Sequence, residues 1–355
     1  MKLSEHPIFG FSPSEHVAAA VSRAGGFGVL GCVRFNEPAD LDAALDYMDN
    51  NTDGKPYGVD IVMPAKVPIE TDLASRIPSQ HKEFVDNTLR KLGVPPLPDG
   101  TPAGDGVLGW LHSVARSHVD VALNHRPTLI ANALGSPPPD VIERAHAAGL
   151  LVAALAGKAD HALSHVNNGV DLIVAQGYEA GGHTGEIASM VLVPEIVDAV
   201  GDRAPVLAAG GIGSGRQIAA ALALGASAAW MGSAWLVTSE YQMGVSAVKE
   251  ALIKATSSDT VRSRIYTGKP ARLLRNKWTD AWAEPDAPAP LPMPLQNILV
   301  SEAHQRLMNS GDPDVVPMPV GQIVGRMNAI RPVAEVIADL VSELDDTLKR
   351  LGAMR

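Results

Sequence analysis

Between residues 7 and 231, eight short apolar runs alternate with longer amphipathic stretches, and this alternation constrains the fold more than any other feature of the chain. The runs fall at 7–11, 28–33, 57–63, 128–133, 151–155, 172–176, 206–209 and 228–231. They are too short for stable helices and suit strands buried on both faces of a parallel sheet. Helix-like stretches at 14–23, 39–48, 138–148, 159–167, 193–200 and 215–224 separate them. Strand–helix alternation calls for parallel α/β architecture. Eight strands in about 230 residues predict a (β/α)8 TIM barrel, with an open doubly wound sheet as the second topology. Gly149, Gly169 and Gly225 each end a helical phrase just before a strand, as left-handed helix caps do.

Composition narrows the class. The 355 residues are 46% hydrophobic, enough for one large core, while aromatics make up only 4%. Abundant Gly and Ala suit close packing of helices on strands. A formal charge of −10 argues against a nucleic-acid surface. Cys32 is the only cysteine, so no intrachain disulfide forms and a reducing compartment fits. It sits in an apolar run and reads as buried filler rather than a nucleophile. The segment Met1-Lys2-Leu3-Ser4-Glu5-His6-Pro7 lacks the apolar core of a signal peptide, so a cytoplasmic location is expected. Residues 218–237 carry no charge and reach membrane-spanning length. Gly225 and Gly232 divide them, so the segment reads as a helix, a turn and a strand, and no membrane partner is expected. The oligomeric state stays open, a homo-oligomer included.

Two stretches break the alternation. Residues 64–109 are long, polar and proline-rich, with a helix predicted at 80–92. They read as an extended loop above the strand ending at Met63, where barrel sites are commonly covered. The expected organisation is a barrel over 1–278 with an insertion at about 64–110, then a proline-rich wrap and helical tail over 279–355. The spacing of Ile323, Ile330, Val333, Ile337, Leu340, Val341 and Leu344 predicts one amphipathic helix over 322–351.

The chemistry concentrates in glycine-rich loops. The stretch Ala175-Gln176-Gly177-Tyr178-Glu179-Ala180-Gly181-Gly182-His183-Thr184-Gly185 follows a predicted strand and carries one histidine at its centre. A second cluster, Ala208-Ala209-Gly210-Gly211-Ile212-Gly213-Ser214-Gly215, follows the next strand. Such loops let backbone approach a flat or phosphorylated ligand. Gly210, Gly211 and Gly213 lead into a helix starting near Gly215, while Gly232 and Ser233 open the following loop. Together they predict a phosphate site of converging N–H groups after the last two strands. An imidazole with an ordinary pKa of about 6.5 suits proton transfer near neutral pH, which points to His183 as the catalytic group. His118, His125, His161 and His165 read as helix or loop residues, and no metal is expected.

These segments, with Ala19-Ala20-Val21-Ser22-Arg23-Ala24-Gly25-Gly26-Phe27-Gly28, residues 219–226 and Met231-Gly232-Ser233 through Thr238-Ser239-Glu240, occur in the order and spacing of a known family. The chain resembles the nitronate monooxygenase (2-nitropropane dioxygenase-like) proteins, which also include flavin-dependent enoyl-acyl-carrier reductases. The resemblance implies a TIM barrel binding FMN without a covalent bond at the strand C-termini. It places Gln176, Gly181, Gly182, Gly210, Gly211, Gly213, Gly232, Ser233 and Asp60 on the cofactor and His183 at the substrate. The chain departs from the family at two points. Ile8-Phe9-Gly10-Phe11-Ser12 replaces an Ala-Pro-Met-like first strand, and Gly58-Val59-Asp60 replaces Gly-Val-Asn. Phe9 and Phe11 thereby become candidates for the substrate side.

His6-Pro7-Ile8-Phe9-Gly10-Phe11, Tyr266-Thr267-Gly268-Lys269-Pro270-Ala271-Arg272 and Pro319-Val320-Gly321-Gln322-Ile323-Val324-Gly325 resemble an actinobacterial branch linked to breakdown of the steroid rings, as in cholesterol degradation. That branch implies dehydrogenation, or in reverse reduction, of a carbon–carbon bond beside the carbonyl of a cyclic acyl-CoA. NAD is then a candidate electron acceptor. Arg272, Arg275 and Lys277 are candidates for the coenzyme A phosphates, against a solvated basic face as the plainer reading. Oxidation of alkyl nitronates by oxygen is the alternative reaction.

Overall fold

Eight parallel strands close into a barrel in the computed structural model, which describes residues 3–63, 73–101, 112–243 and 246–354. The barrel strands are β1 (Ile8–Ser12), β2 (Phe27–Gly31), β3 (Tyr57–Asp60), β4 (Leu129–Asn132), β5 (Leu151–Ala156), β6 (Leu172–Gln176), β8 (Val206–Ala209) and β9 (Ala228–Met231). The short β7 (Gly182–His183) lies outside the barrel. Helices alternate with the strands: α1 (Glu15–Arg23), α2 (Pro38–Asn51), α3 (Ser79–Lys91), α4 (His112–Leu123), α5 (Pro139–Ala147), α6 (Ala159–Asn167), α7 (Ser189–Val200), α8 (Gly215–Ala223) and α9 (Ser246–Lys254). All eight strands expected from the sequence are present, and β9 pairs with β1 to close the (β/α)8 cylinder.

Strand side chains alternate between the two faces. Phe9, Phe27, Val29, Leu129, Leu172, Val174, Leu207 and Trp230 fill the interior. Ile8, Leu30, Val59, Ile130 and Ile173 turn outward into the core shared with the helices. Ala and Gly let those helices come close. A Cβ on Gly28 would lie 1.9 Å from the Ala18 carbonyl oxygen, so α1 rests on β2 at backbone distance. The same alternation leaves Asp60 and Gln176 facing inward at the C-terminal ends of β3 and β6.

A second, smaller core lies outside the barrel wall. It is formed by α3, β11 (Ala271–Leu274), α10 (Lys277–Ala281) and α11 (Leu295–Ser310), with β10 (Thr260–Ser263) paired to β11. Val85 and Leu89 of α3 pack there with Leu273, Trp278, Val300 and Leu307. The two stretches that break the alternation therefore meet. Residues 64–72 and 102–111 of the expected insertion lie outside the described residues. The antiparallel sheet β10–β11–β7 ties this second core to the barrel.

The single helix expected over 322–351 is broken. Gln322–Arg326 forms a 3-10 turn, and α12 (Val333–Gly352) starts only after Pro332. The Pro332 ring disfavours helical backbone at Arg331, which ends any continuous helix there. Ile330 falls in the break and is 51% exposed, whereas Val333, Ile337, Leu340 and Leu344 are buried. Residues 218–237 divide into α8, a turn at Gly225 and β9. Among the described residues no helix is long and apolar enough to cross a membrane.

Candidate active site

The two glycine-rich loops touch at the C-terminal mouth of the barrel. Gly177 N–H donates to the Ala209 carbonyl at 2.9 Å, which holds the loop after β6 against the end of β8. Gly210 has φ of 96°, and a Cβ there would lie 3.0 Å from the Gly177 carbonyl oxygen. Position 210 therefore needs glycine both for its dihedral and for its contact. A third partner arrives from far along the chain. Gly321 N–H donates to Ser233 Oγ at 2.8 Å, and Gln322 N–H donates to the Glu179 carbonyl at 3.0 Å. A Cβ on Gly181 would lie 2.6 Å from the Gly321 nitrogen. The Glu179 carboxylate accepts from Ser189 N–H and Ser189 Oγ at the start of α7. The loops after β6, β8 and β9 are thus fastened to one another and to residues 319–322.

The N-terminus of α8 is already occupied. Gly215 N–H donates to Glu343 Oε2 at 2.8 Å, and Arg216 pairs with the same carboxylate. Gly213 N–H donates to Gln217 Oε1 at 2.9 Å, and the Gln217 amide returns a bond to the Gly211 carbonyl. Gly213 was expected among the phosphate donors, but its N–H serves the helix cap instead. The N–H groups of Gly211, Ile212 and Ser233 make no hydrogen bond among the described residues. With the N–H groups of Gly210, Ser214 and Gly232, which likewise make no hydrogen bond among the described residues, and the mobile proton of the Ser233 hydroxyl, they are the donors left for an anion.

His183 lies on β7, paired with Ala271 of β11. Its Nε2 and Thr267 Oγ1 are 2.6 Å apart, and the Tyr266 ring centroid is 6.4 Å from its own. Enclosure of the ring, with Lys269 adding to it, pushes the His183 pKa down to about 4. The ordinary value expected from sequence is therefore displaced, and the imidazole is neutral at pH 7. His118 and His165 are buried and hydrogen-bonded to the carbonyls of Phe35 and Leu155, in keeping with structural roles. Among the described residues no group of three His, Cys, Asp or Glu side chains is placed to hold a metal ion.

Arg272 is neither a phosphate contact nor part of a solvated face. It is 2% exposed, it donates to the Tyr178 carbonyl at 3.0 Å and to Thr260 Oγ1 at 3.1 Å, and it lies 4.5 Å from the Tyr178 ring centroid. Its place inside the β10–β11–β7 sheet makes it an internal clamp on the loop that carries His183. Arg275 and Lys277 are exposed and paired with Asp280 and Asp314.

The two phenylalanines separate by depth. Phe9 is buried in the barrel interior, 4.7 Å from the Phe27 ring and 6.1 Å from Trp230. Two residues further along the same face, Phe11 lies nearer the mouth and is only half-buried. A Cβ on Gly232 would contact Phe11 at 3.7 Å. Phe11, rather than Phe9, is the one beside the loops. Asp60 is 4% exposed, and its Oδ1 has no hydrogen-bond partner. Burial pushes its pKa up to about 7, against a lowering contribution from the Ala133 backbone N–H.

Sequence reasoning assigned no role to Thr267, Lys269 or Tyr266, which fix and surround His183. All three fell within a segment already quoted for its resemblance. Their distance in sequence from His183 concealed the contact.

Residues 5–343 match the family described as nitronate monooxygenase. A putative monooxygenase of Mycobacterium tuberculosis, Rv1533, is 50% identical over 99% of this chain and 96% of its own. A probable nitronate monooxygenase of Staphylococcus aureus is 27% identical over 97% of this chain and 96% of its own. Among solved structures, nitroalkane oxidase from Streptomyces ansochromogenes superposes with a TM-score of 0.82 at 28% identity, covering 98% of both chains. FabK from Thermotoga maritima gives 0.74 at 28% identity, covering 99% of this chain and 96% of its own.

Proposed function

Because this chain belongs to the nitronate monooxygenase family of flavin-dependent oxidoreductases, we propose that it is an FMN enzyme dehydrogenating, or in reverse reducing, a C–C bond beside the carbonyl of a cyclic acyl-CoA. The observation that carries this reading is the enclosed, neutral His183, pinned by Thr267 where the glycine loops converge. The donor set fits the cofactor. The unpartnered N–H groups of Gly211, Ile212 and Ser233 suit a terminal phosphate, while Gln176 and the unpartnered Asp60 Oδ1 face the mouth.

FMN, when bound, supplies the two-electron acceptor for a hydride from the β-carbon. His183 takes the proton from the α-carbon, which the thioester carbonyl acidifies. Its depressed pKa makes it a weak base in the resting protein, and negative charge developing on the substrate raises it. Once protonated, both ring nitrogens are donors, and Nε2 donates to Thr267 Oγ1. Phe11 offers an apolar surface at the mouth. Lys269, exposed and beside His183, is the cation placed for an anionic part of the substrate.

A second reading, oxidation of alkyl nitronates by oxygen, is favoured by the names of the relatives. Anaerobic titration separates the two. An acyl-CoA that bleaches the flavin, with NAD tested as the returning acceptor, supports the first reading. Bleaching by a nitronate alone, followed by oxygen consumption, replaces it with the second. In His183→Asn, FMN stays bound while substrate-driven flavin reduction slows by roughly 10²–10⁴-fold, the usual weight of a positioned acid or base. An unchanged rate removes His183 from the mechanism.

A further inference from the structure

Asp60 is the only charged residue in the eight barrel strands. The one other side chain there that titrates by a phenol or carboxyl is Tyr57, whose hydroxyl leaves the barrel to donate to Asp49 at 2.7 Å. Asp60 instead turns inward at the end of β3, toward the mouth. Its surroundings hold no cation among the described residues. On the β2 side stands the Cys32 thiol, which burial and Asp60 itself keep protonated. Arg34, beyond Cys32, is engaged by the Pro13 carbonyl and Glu15. On the β4 side Ala133 offers a backbone N–H, while the Asn132 amide is spent on the Met63 and Gly135 carbonyls. From α1, Glu15 pairs with Arg34, and Arg23 reaches the Asn51 carbonyl. Across the barrel the inward side chain at the end of β6 is the uncharged Gln176. Among the described residues, a carboxylate at position 60 would be buried without a counter-ion, whereas a carboxylic acid there has a proton to give and no acceptor to receive it.

We propose that Asp60 meets the flavin as a neutral carboxylic acid, its hydroxyl donating to an acceptor on the ring, so that FMN binding is linked to one proton. This rests on the FMN reading above. The position of the carboxyl in the apoprotein, at about 7, sets the pH range in which the linkage shows. If only the protonated form binds, affinity falls roughly fiftyfold from pH 7 to pH 9, approaching tenfold per unit.

The experiment is titration of apoprotein with FMN, followed by flavin fluorescence at pH 7, 8 and 9, for the natural chain and for Asp60→Asn. The asparagine amide keeps a donor and a similar shape but cannot ionise. The expected result is a steep loss of affinity with pH in the natural chain and a nearly flat profile in the variant. Calorimetry of the natural chain at pH 8.5 in two buffers of different ionisation enthalpy then reads close to one proton taken up per FMN. This second measurement stands even if the variant folds poorly. FMN binding with a flat profile and no proton uptake overturns the role of Asp60 and leaves the flavin reading intact. No FMN binding at any pH overturns the flavin reading, and this inference with it.

Discussion

Replacing Asp60 by Asn should stabilise the apoprotein, and by an amount that grows with pH. The carboxyl has an ordinary value of 3.8 and lies at about 7 in the folded chain. That difference of about 3 units corresponds to roughly 4 kcal/mol of preference for the protonated form in the folded state. The sign follows from the proton balance. Between the two values the folded chain holds a proton that the unfolded chain has released, so stability falls as pH rises. The contribution is fully present below the unfolded value and is lost by the time pH passes through the folded one. Most of the loss lies between pH 4 and 7. Between pH 5 and pH 8 the natural chain should therefore lose about 2–3 kcal/mol relative to Asp60→Asn. Urea denaturation of both apoproteins at those two pH values measures it, because all other titrating groups are common to the pair. Equal midpoint differences at pH 5 and pH 8 would refute the argument. They would mean that the carboxyl ionises in the folded chain as readily as in water, and that the mouth is wetter than its burial implies.

Three further outcomes test the scaffold. Arg272→Met should cost roughly 2–4 kcal/mol, since it removes the buried guanidinium's bonds to the Tyr178 carbonyl, and amide exchange at 178–184 should accelerate while FMN remains bound. Gly28→Ala should abolish soluble expression or lower the melting temperature sharply, because its Cβ would sit 1.9 Å from the Ala18 carbonyl oxygen. Burial opposes charging of His125, but hydrogen bonds to Asp49 and Asp42 outweigh it and raise its pKa. Its NMR titration midpoint should exceed the ordinary 6.5, and Asp42→Asn should lower it. The stability that His125 contributes is present below 6.5 and lost as pH rises through the folded value.

The barrel was legible because its signal is local. Each strand is a short apolar run closed off by turn residues, and glycines such as Gly149 and Gly225 mark helix ends through left-handed backbone. The two glycine-rich loops were legible for the same reason. What escaped was every relation that joins distant segments. Nothing in the phrase around Gly215 shows that Glu343 caps its helix from 128 residues away. Nothing around Arg272 shows that its strand pairs with β7, which turns a supposed surface cation into a buried clamp. Amphipathic spacing carried the 322–351 helix straight through Pro332, because periodicity records which residues are apolar and takes no account of backbone that cannot be helical. Phe9 and Phe11 share a face in sequence, and only closure of the barrel gives that face a depth.

Burial displaces His183 and Asp60 in opposite directions on the pH scale, yet toward the same charge. The imidazole is pushed down to about 4 and the carboxyl up to about 7. Near pH 6 both groups are therefore predominantly neutral, one as a base ready to accept a proton and the other as an acid ready to donate. A site with those two states can remove a proton on the substrate side and offer a hydrogen bond on the ring side with neither of the two groups itself charged. The two groups offer no counter-charge to a substrate that arrives already anionic, and offer more to one whose charge appears during the reaction. The pairing favours a neutral carbon acid over a nitronate. It also sets a shape for the pH profile. At subsaturating FMN, substrate-driven flavin reduction should rise as His183 loses its proton near pH 4 and decline above pH 7 as ionisation of Asp60 in the apoprotein weakens FMN binding. In Asp60→Asn the alkaline limb should flatten while the acidic limb stays. An alkaline limb that persists in that variant would assign the decline to another group and leave Asp60 outside the reaction.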